Sequence, residues 1–131
     1  MIEYQLDTNY VLRFLLKDVP EQLKIVREKF TLAKQGEIKI FVPYLVFIEL
    51  DFTLTKIYQF PKVKVASELL SLAASPYLSA EKRDYLLKAL PVYRVSNISL
   101  IDLLLFFEAQ QSGKILLTFD KKLQSLKKKY K

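Results

Sequence analysis

Residues 2–16 read IEYQLDTNYVLRFLL, and the hydrophobic pattern changes period inside this stretch. Residues 2–6 suit a short strand. Beyond Asp7, the residues Val11, Leu12, Leu15 and Leu16 recur at helical spacing, which predicts a helix capped by Asp7 or Thr8. The chain thus opens as strand, carboxylate, helix.

Working outward, Pro20 suits the first turn of a second helix, with Leu23, Val26, Phe30 and Ala33 as its buried stripe and Gly36 as its stop. IKIFV (38–42) reads as a second strand. Pro43 then opens a helix from about Tyr44 to Tyr58, on which Leu45, Ile48, Glu49 and Phe52 share one face. A helix after Pro61 carries Val65, Leu69, Leu72 and Ala73 in register, and SPYLS (75–79) offers a short third strand. EKRDYLLKAL (81–90) is helical up to Pro91, where it must kink or end. Ser99 caps a helix over about residues 100–112, with Asp102 in its first turn beside Leu105, Phe106 and Ala109. After Gly113, KILLTF (114–119) reads as a strand ending at Asp120, and Leu123 and Leu126 mark a closing helix. Strands alternating with helices predict an α/β fold whose mainly parallel sheet binds ligands beyond its carboxyl edge.

Composition narrows the class. With 131 residues, 51% of them hydrophobic, the chain can bury one core but not two, so residues 1–131 are expected to form a single domain. Cysteine and histidine are both absent, which removes disulfides and the usual ligands of zinc. The longest charge-poor runs fall short of the roughly 20 residues that span a bilayer, so no membrane partner and a cytoplasmic location are expected. A net charge of +7 favours a polyanionic partner, and Lys121, Lys122, Lys127, Lys128, Lys129 and Lys131 crowd the carboxyl end.

Asp7, Glu49, Asp102 and Asp120 each interrupt or adjoin a strongly apolar run: QLDTNYVL, LVFIELDFTL, SLIDLLLFF and ILLTFD. Glu49 and Asp102 share their stripes with apolar residues and are expected to face inward. Carboxylates in such settings are normally paired, protonated or bound to metal, because an isolated buried charge costs several kcal/mol. If the four converge, divalent cations are one way to relieve their mutual repulsion, and oxygen-only ligands suit Mg²⁺ or Mn²⁺. That is the chemistry of metal-dependent phosphodiester hydrolysis. Ordinary structural roles stand beside this reading: Asp7, Ser99 and Asp120 as helix caps, Glu49 as the partner of a lysine or a backbone group, Asn9 and Thr118 as local backbone partners.

The segments DTNYVLRFLLKD, PYLVFIELDFTL and NISLIDLLLFFEAQQSGKILLTFDKKL together resemble PIN-domain proteins, in particular the small VapC-type toxins of toxin–antitoxin pairs. The D-T-N at Asp7 and the late T-F-D at Asp120 are the most specific elements. The resemblance implies a three-layer α/β/α sandwich and Mg²⁺- or Mn²⁺-dependent cleavage of RNA. It implies an acidic quartet at Asp7, Glu49, Asp102 and Asp120, both catalytic and metal-binding, supported by Asn9, Thr118, Thr8 and Ser99. It also implies a homodimer and a cognate antitoxin protein. Glu108, Leu100 and Pro91 depart from the family pattern without removing a ligand. Other readings are an RNA-processing nuclease outside a toxin module, a catalytically silent module that binds RNA or protein, and phosphoryl transfer through a nucleophilic Asp7.

Overall fold

The computed structural model describes residues 1–130; Lys131, the last of the terminal lysines, lies outside the described residues. The expected alternation is present. Strand β1 (Glu3–Gln5) leads into helices α1 (Thr8–Leu16) and α2 (Pro20–Lys34), and strand β2 (Lys39–Val42) follows. Helix α3 (Tyr44–Phe52) runs on as a π-helical turn, Thr53–Ile57, before α4 (Lys62–Ala74) and strand β3 (Ser79–Ala80). Helices α5 (Arg83–Val95), α6 (Leu100–Gln111) and α7 (Lys121–Lys129) complete the order.

The sheet is parallel, in the order β1-β2-β3, with Tyr4 opposite Ile40 and Val42 opposite Ala80. Parallel neighbours cannot be joined by a tight turn, so each pair is separated by helices: α1 and α2 first, then α3 and α4. Ile40 and Val42 of the central strand, which point to one face of the sheet, are both buried, and Phe41 on the other face is half-buried. The result is the helix-rich α/β/α arrangement read from the sequence.

Local chemistry sets most helix ends. Pro20 begins α2, where its missing N–H costs nothing. Gly36 and Gly113 adopt positive φ (76° and 68°) just past α2 and α6. At each, the next residue's N–H reaches back to close the helix, Glu37 to the Leu32 carbonyl at 3.0 Å and Lys114 to the Ala109 carbonyl at 2.8 Å. Pro43 gives α3 no side-chain cap; Glu81, just beyond β3, accepts the Tyr44 N–H at 2.7 Å instead and ties the end of β3 to the start of α3.

Three sequence expectations need correction. Helix α5 does not end at Pro91, one of the two outcomes expected there, but continues to Val95. Pro91 lies on the exposed side, where the Leu87 carbonyl that loses its donor can bond water. Residues 114–119 form no strand among the described residues. Ile115, Leu117 and Phe119 are 73%, 92% and 101% exposed while Leu116 and Thr118 are half-buried, so the alternation is there without the ladder. A period of two describes how side chains point, but pairing needs a neighbouring edge that no local pattern supplies.

The third correction concerns the carboxylate-bearing helices. On α3 the buried residues are Val46, Phe47 and Leu50, whereas Leu45 and Phe52, the stripe shared with Glu49, are 70% and 59% exposed. On α6 the buried set is Leu100, Leu103, Leu104, Phe106 and Phe107, and Leu105 is half exposed. Glu49 is therefore exposed and Asp102 only half-buried. Both helices are apolar on more than one side; on α3 core packing selected the side away from Glu49, whereas on α6 Phe106 of the Asp102 stripe is buried and Asp102 lies at the margin of the packed side.

Replacing the fully buried Phe47 by alanine is expected to cost about 3–5 kcal/mol. Leu45→Ala on the opposite face should change stability by less than about 0.5 kcal/mol. Urea denaturation of the two variants measures both effects.

Candidate active site

Asp7 follows β1 with Leu6 between them, at the carboxyl end of the strand. Its backbone is still extended, and its Oδ1 accepts the Tyr10 N–H at 2.9 Å, so the side chain caps α1. The first helical residue, Thr8, turns the other way: its Oγ1 donates to Glu49 Oε1 at 3.0 Å. That bond joins the start of α1, one residue past Asp7, to Glu49 in the middle of α3, across the first crossover. Asn9 is exposed in the same first turn of α1.

Ser99 caps α6, its Oγ accepting the Asp102 N–H at 3.2 Å. Asp102 thereby sits on the third helical residue, where the helix dipole favours negative charge. α6 packs against α3, so the helices bearing Asp102 and Glu49 are neighbours. Asp120 caps α7, its Oδ1 accepting the Lys122 N–H at 2.8 Å, while its own N–H donates to Thr118 Oγ1 at 3.0 Å. The Thr118 carbonyl accepts the Gln124 side chain at 2.9 Å.

Three of the four carboxylates thus stand at helix N-termini, where the unpaired N–H groups of the first turn stabilise them. Capping is compatible with a ligand role, since each cap occupies one oxygen. The ion pairs among the described residues are Arg13 with Asp18 and Lys82 with Glu108; none involves Asp7, Glu49, Asp102 or Asp120. In a chain of net charge +7, these four carboxylates have no ion-pair partner among the described residues.

The donors are all oxygen, which suits a hard divalent cation. Among the described residues, no three acidic side chains come together as a metal-holding group. Thr8 links the helix start at Asp7 to Glu49. Mg²⁺ is usually held by only one or two carboxylates, with water and substrate phosphate filling the rest of its octahedron. The residues therefore fit such an ion in chemistry and in number, without forming a closed cage.

A second polar cluster lies next to these helices and was not found from the sequence. Tyr93, buried on α5, donates its hydroxyl hydrogen to Asp51, which follows Glu49 by two residues on α3. The Lys62 ammonium, at the start of α4, sits over the Tyr93 ring at 4.3 Å. It donates to the carbonyls of Ser96 at 2.7 Å and Ile98 at 3.1 Å. Burial raises the pKa of Asp51, opposed by the Tyr93 hydrogen bond and by Lys62 and Lys56. Burial lowers the pKa of Lys62, with Asp51 opposing and Lys122 adding to the effect. Burial and the bond to Asp51 push the Tyr93 hydroxyl well above the usual phenol range. Only the apolar context of Asp51 in IELDFTL hinted at this cluster; Lys62 follows Pro61 in an ordinary polar stretch.

The chain belongs to the PIN domain family, which matches residues 4–129. No curated protein and no solved structure matches it. PIN domains are typically nucleases and generally use divalent metal ions, so family membership implies hydrolysis of nucleic acid. Among the described residues, no helix is long and apolar enough to cross a membrane.

Ser99→Ala removes the α6 cap and should lower stability by about 1 kcal/mol. Thr8→Val, at a partly exposed bond, should stay within about 0.5 kcal/mol of the parent. Thermal unfolding monitored by circular dichroism separates the two.

Proposed function

We propose that this protein is a Mg²⁺- or Mn²⁺-dependent endoribonuclease whose catalytic and metal-binding residues are Asp7, Glu49, Asp102 and Asp120. The observation that carries the reading is the Thr8 bridge, which in a PIN-family chain ties the helix start at Asp7 to Glu49, far away in sequence. A divalent cation supplies charge at the phosphate and activates water for attack, work for which a chain without histidine has no imidazole. Asp7 and Glu49 would be among the residues that hold such an ion. Asp102, fixed by the Ser99 cap, orients the attacking water, and Asp120 completes the acidic set from the start of α7. Thr8 and Ser99 restrain the carboxylates through the bonds already described, Thr118 restrains the Asp120 backbone, and Asn9 offers an exposed amide beside Asp7.

The lysines of α7 give the RNA backbone a cationic flank next to Asp120. The D-T-N and T-F-D motifs further support a VapC-type toxin, held in check by a cognate antitoxin and working in the cytoplasm. Exposed Leu45, Phe52, Ile101 and Leu105 give α3 and α6 an apolar surface suited to a homodimer.

Purified protein is expected to cut a mixed structured RNA with Mg²⁺ or Mn²⁺ and to stop in EDTA. Asp102→Asn should lower the rate by more than the roughly 10–100-fold typical of losing an outer-shell partner. Well-folded protein that cuts none of several RNAs at any metal concentration would favour the silent binding module instead.

A further inference from the structure

Lys62 is held as few surface lysines are. It is half-buried, its ammonium lies over the face of Tyr93, and two of its donors go to carbonyls of the turn joining α5 to α6. Ser96 is the C-cap of α5, so Lys62, from another helix, satisfies a carbonyl that a helix end would otherwise leave open. Among the described residues, no carboxylate lies within ion-pair distance of its ammonium. The cation is thus committed to backbone carbonyls and an aromatic ring, a costly arrangement for a flexible, strongly hydrated group.

The turn it grips leads directly into the site. Ile98, whose carbonyl Lys62 binds, precedes the Ser99 cap that takes the Asp102 N–H. The Ser96 hydroxyl accepts the Ile98 N–H at 3.3 Å, so the turn is braced from within as well. On the other side, Tyr93 passes the connection to Asp51 on the helix that carries Glu49. The path runs from Glu49's helix through Asp51, Tyr93 and Lys62 to the start of Asp102's helix, without passing through any of the four acidic residues.

We propose that Lys62 is a positioning residue, which sets the start of α6 and thereby the placement of Asp102 relative to Glu49. The inference rests on the nuclease reading above. Lys62 does not touch substrate or metal; it acts through the 96–99 turn. A bare anchoring role for α4 would predict only a general loss of stability, whereas a positioning role predicts loosening confined to the turn and the first turn of α6.

The test compares Lys62→Met, which keeps the stem without the charge, with Lys62→Arg and with Lys64→Ala, an exposed control on the same helix. Two readouts are taken: amide hydrogen exchange, and RNA cleavage as kcat and KM across a Mn²⁺ series. Lys62→Met should exchange faster at residues 96–102 alone and lose about 10–100-fold in kcat, with KM little changed. Lys62→Arg should recover much of both, and Lys64→Ala should match the parent. Should Lys62→Met fail to unfold cooperatively, Lys62→Gln, which keeps amide donors on a shorter stem, carries the same comparison. Unchanged exchange at 96–102, or faster exchange spread over the whole chain, overturns the proposal whatever the activity. So does unaltered kcat in a variant whose turn has loosened while the parent cuts RNA. If the parent itself cuts nothing while loosening stays confined to 96–102, the nuclease reading falls and the structural tie stands.

Discussion

Parallel pairing of β2 with a strand on either side is the constraint on which the rest of this structure depends. Parallel neighbours require helical crossovers, and crossovers return the chain so that all three strands end on one side of the sheet. Asp7 lies just beyond β1, α3 starts just beyond β2, and Glu81 lies just beyond β3. The topology therefore gathers strand ends and helix starts at a common edge, where Thr8 binds the first crossover to the second and Glu81 binds the end of β3 to the start of α3. With strands of three, four and two residues, the backbone ladder contributes little area, and the helices packed around Ile40 and Val42 supply the core.

Helix starts also solve an electrostatic problem. Carboxylates in a hydrophobic neighbourhood need compensation, and helix N-termini provide it through free N–H groups and the dipole. Asp7, Asp102 and Asp120 all use this device. The compensation is partial, which suits a cation-binding role: a salt bridge to one of the many lysines would compete with a metal, whereas a backbone cap leaves oxygens available. Several of the described cations are engaged in other ways, over aromatic rings and on backbone carbonyls.

How much was legible in the sequence follows from the range of the interactions involved. The Asp7 and Ser99 caps, the Pro20 start and the Gly36 and Gly113 stops are decided within a few residues, and each helix they bound is where the periodicity put it. The face of α3 was not legible, because Leu45, Ile48 and Phe52 form as good an apolar stripe as Val46, Phe47 and Leu50. The Lys62 cluster escaped for a related reason: its partners are spread over α3, α5 and the turn after α5, and no spacing links them.

By itself, then, the sequence determined the alternating α/β character, the positions of the helix starts and the four acidic residues, since capping, proline geometry and residue periodicity act locally. Tertiary structure alone decided that Glu49 faces solvent rather than core, that Thr8 reaches it, that residues 114–119 stay outside the sheet, and that Lys62 seals the turn before Asp102. Each of these depends on which distant surface arrives at a residue, and that is settled only when the core closes.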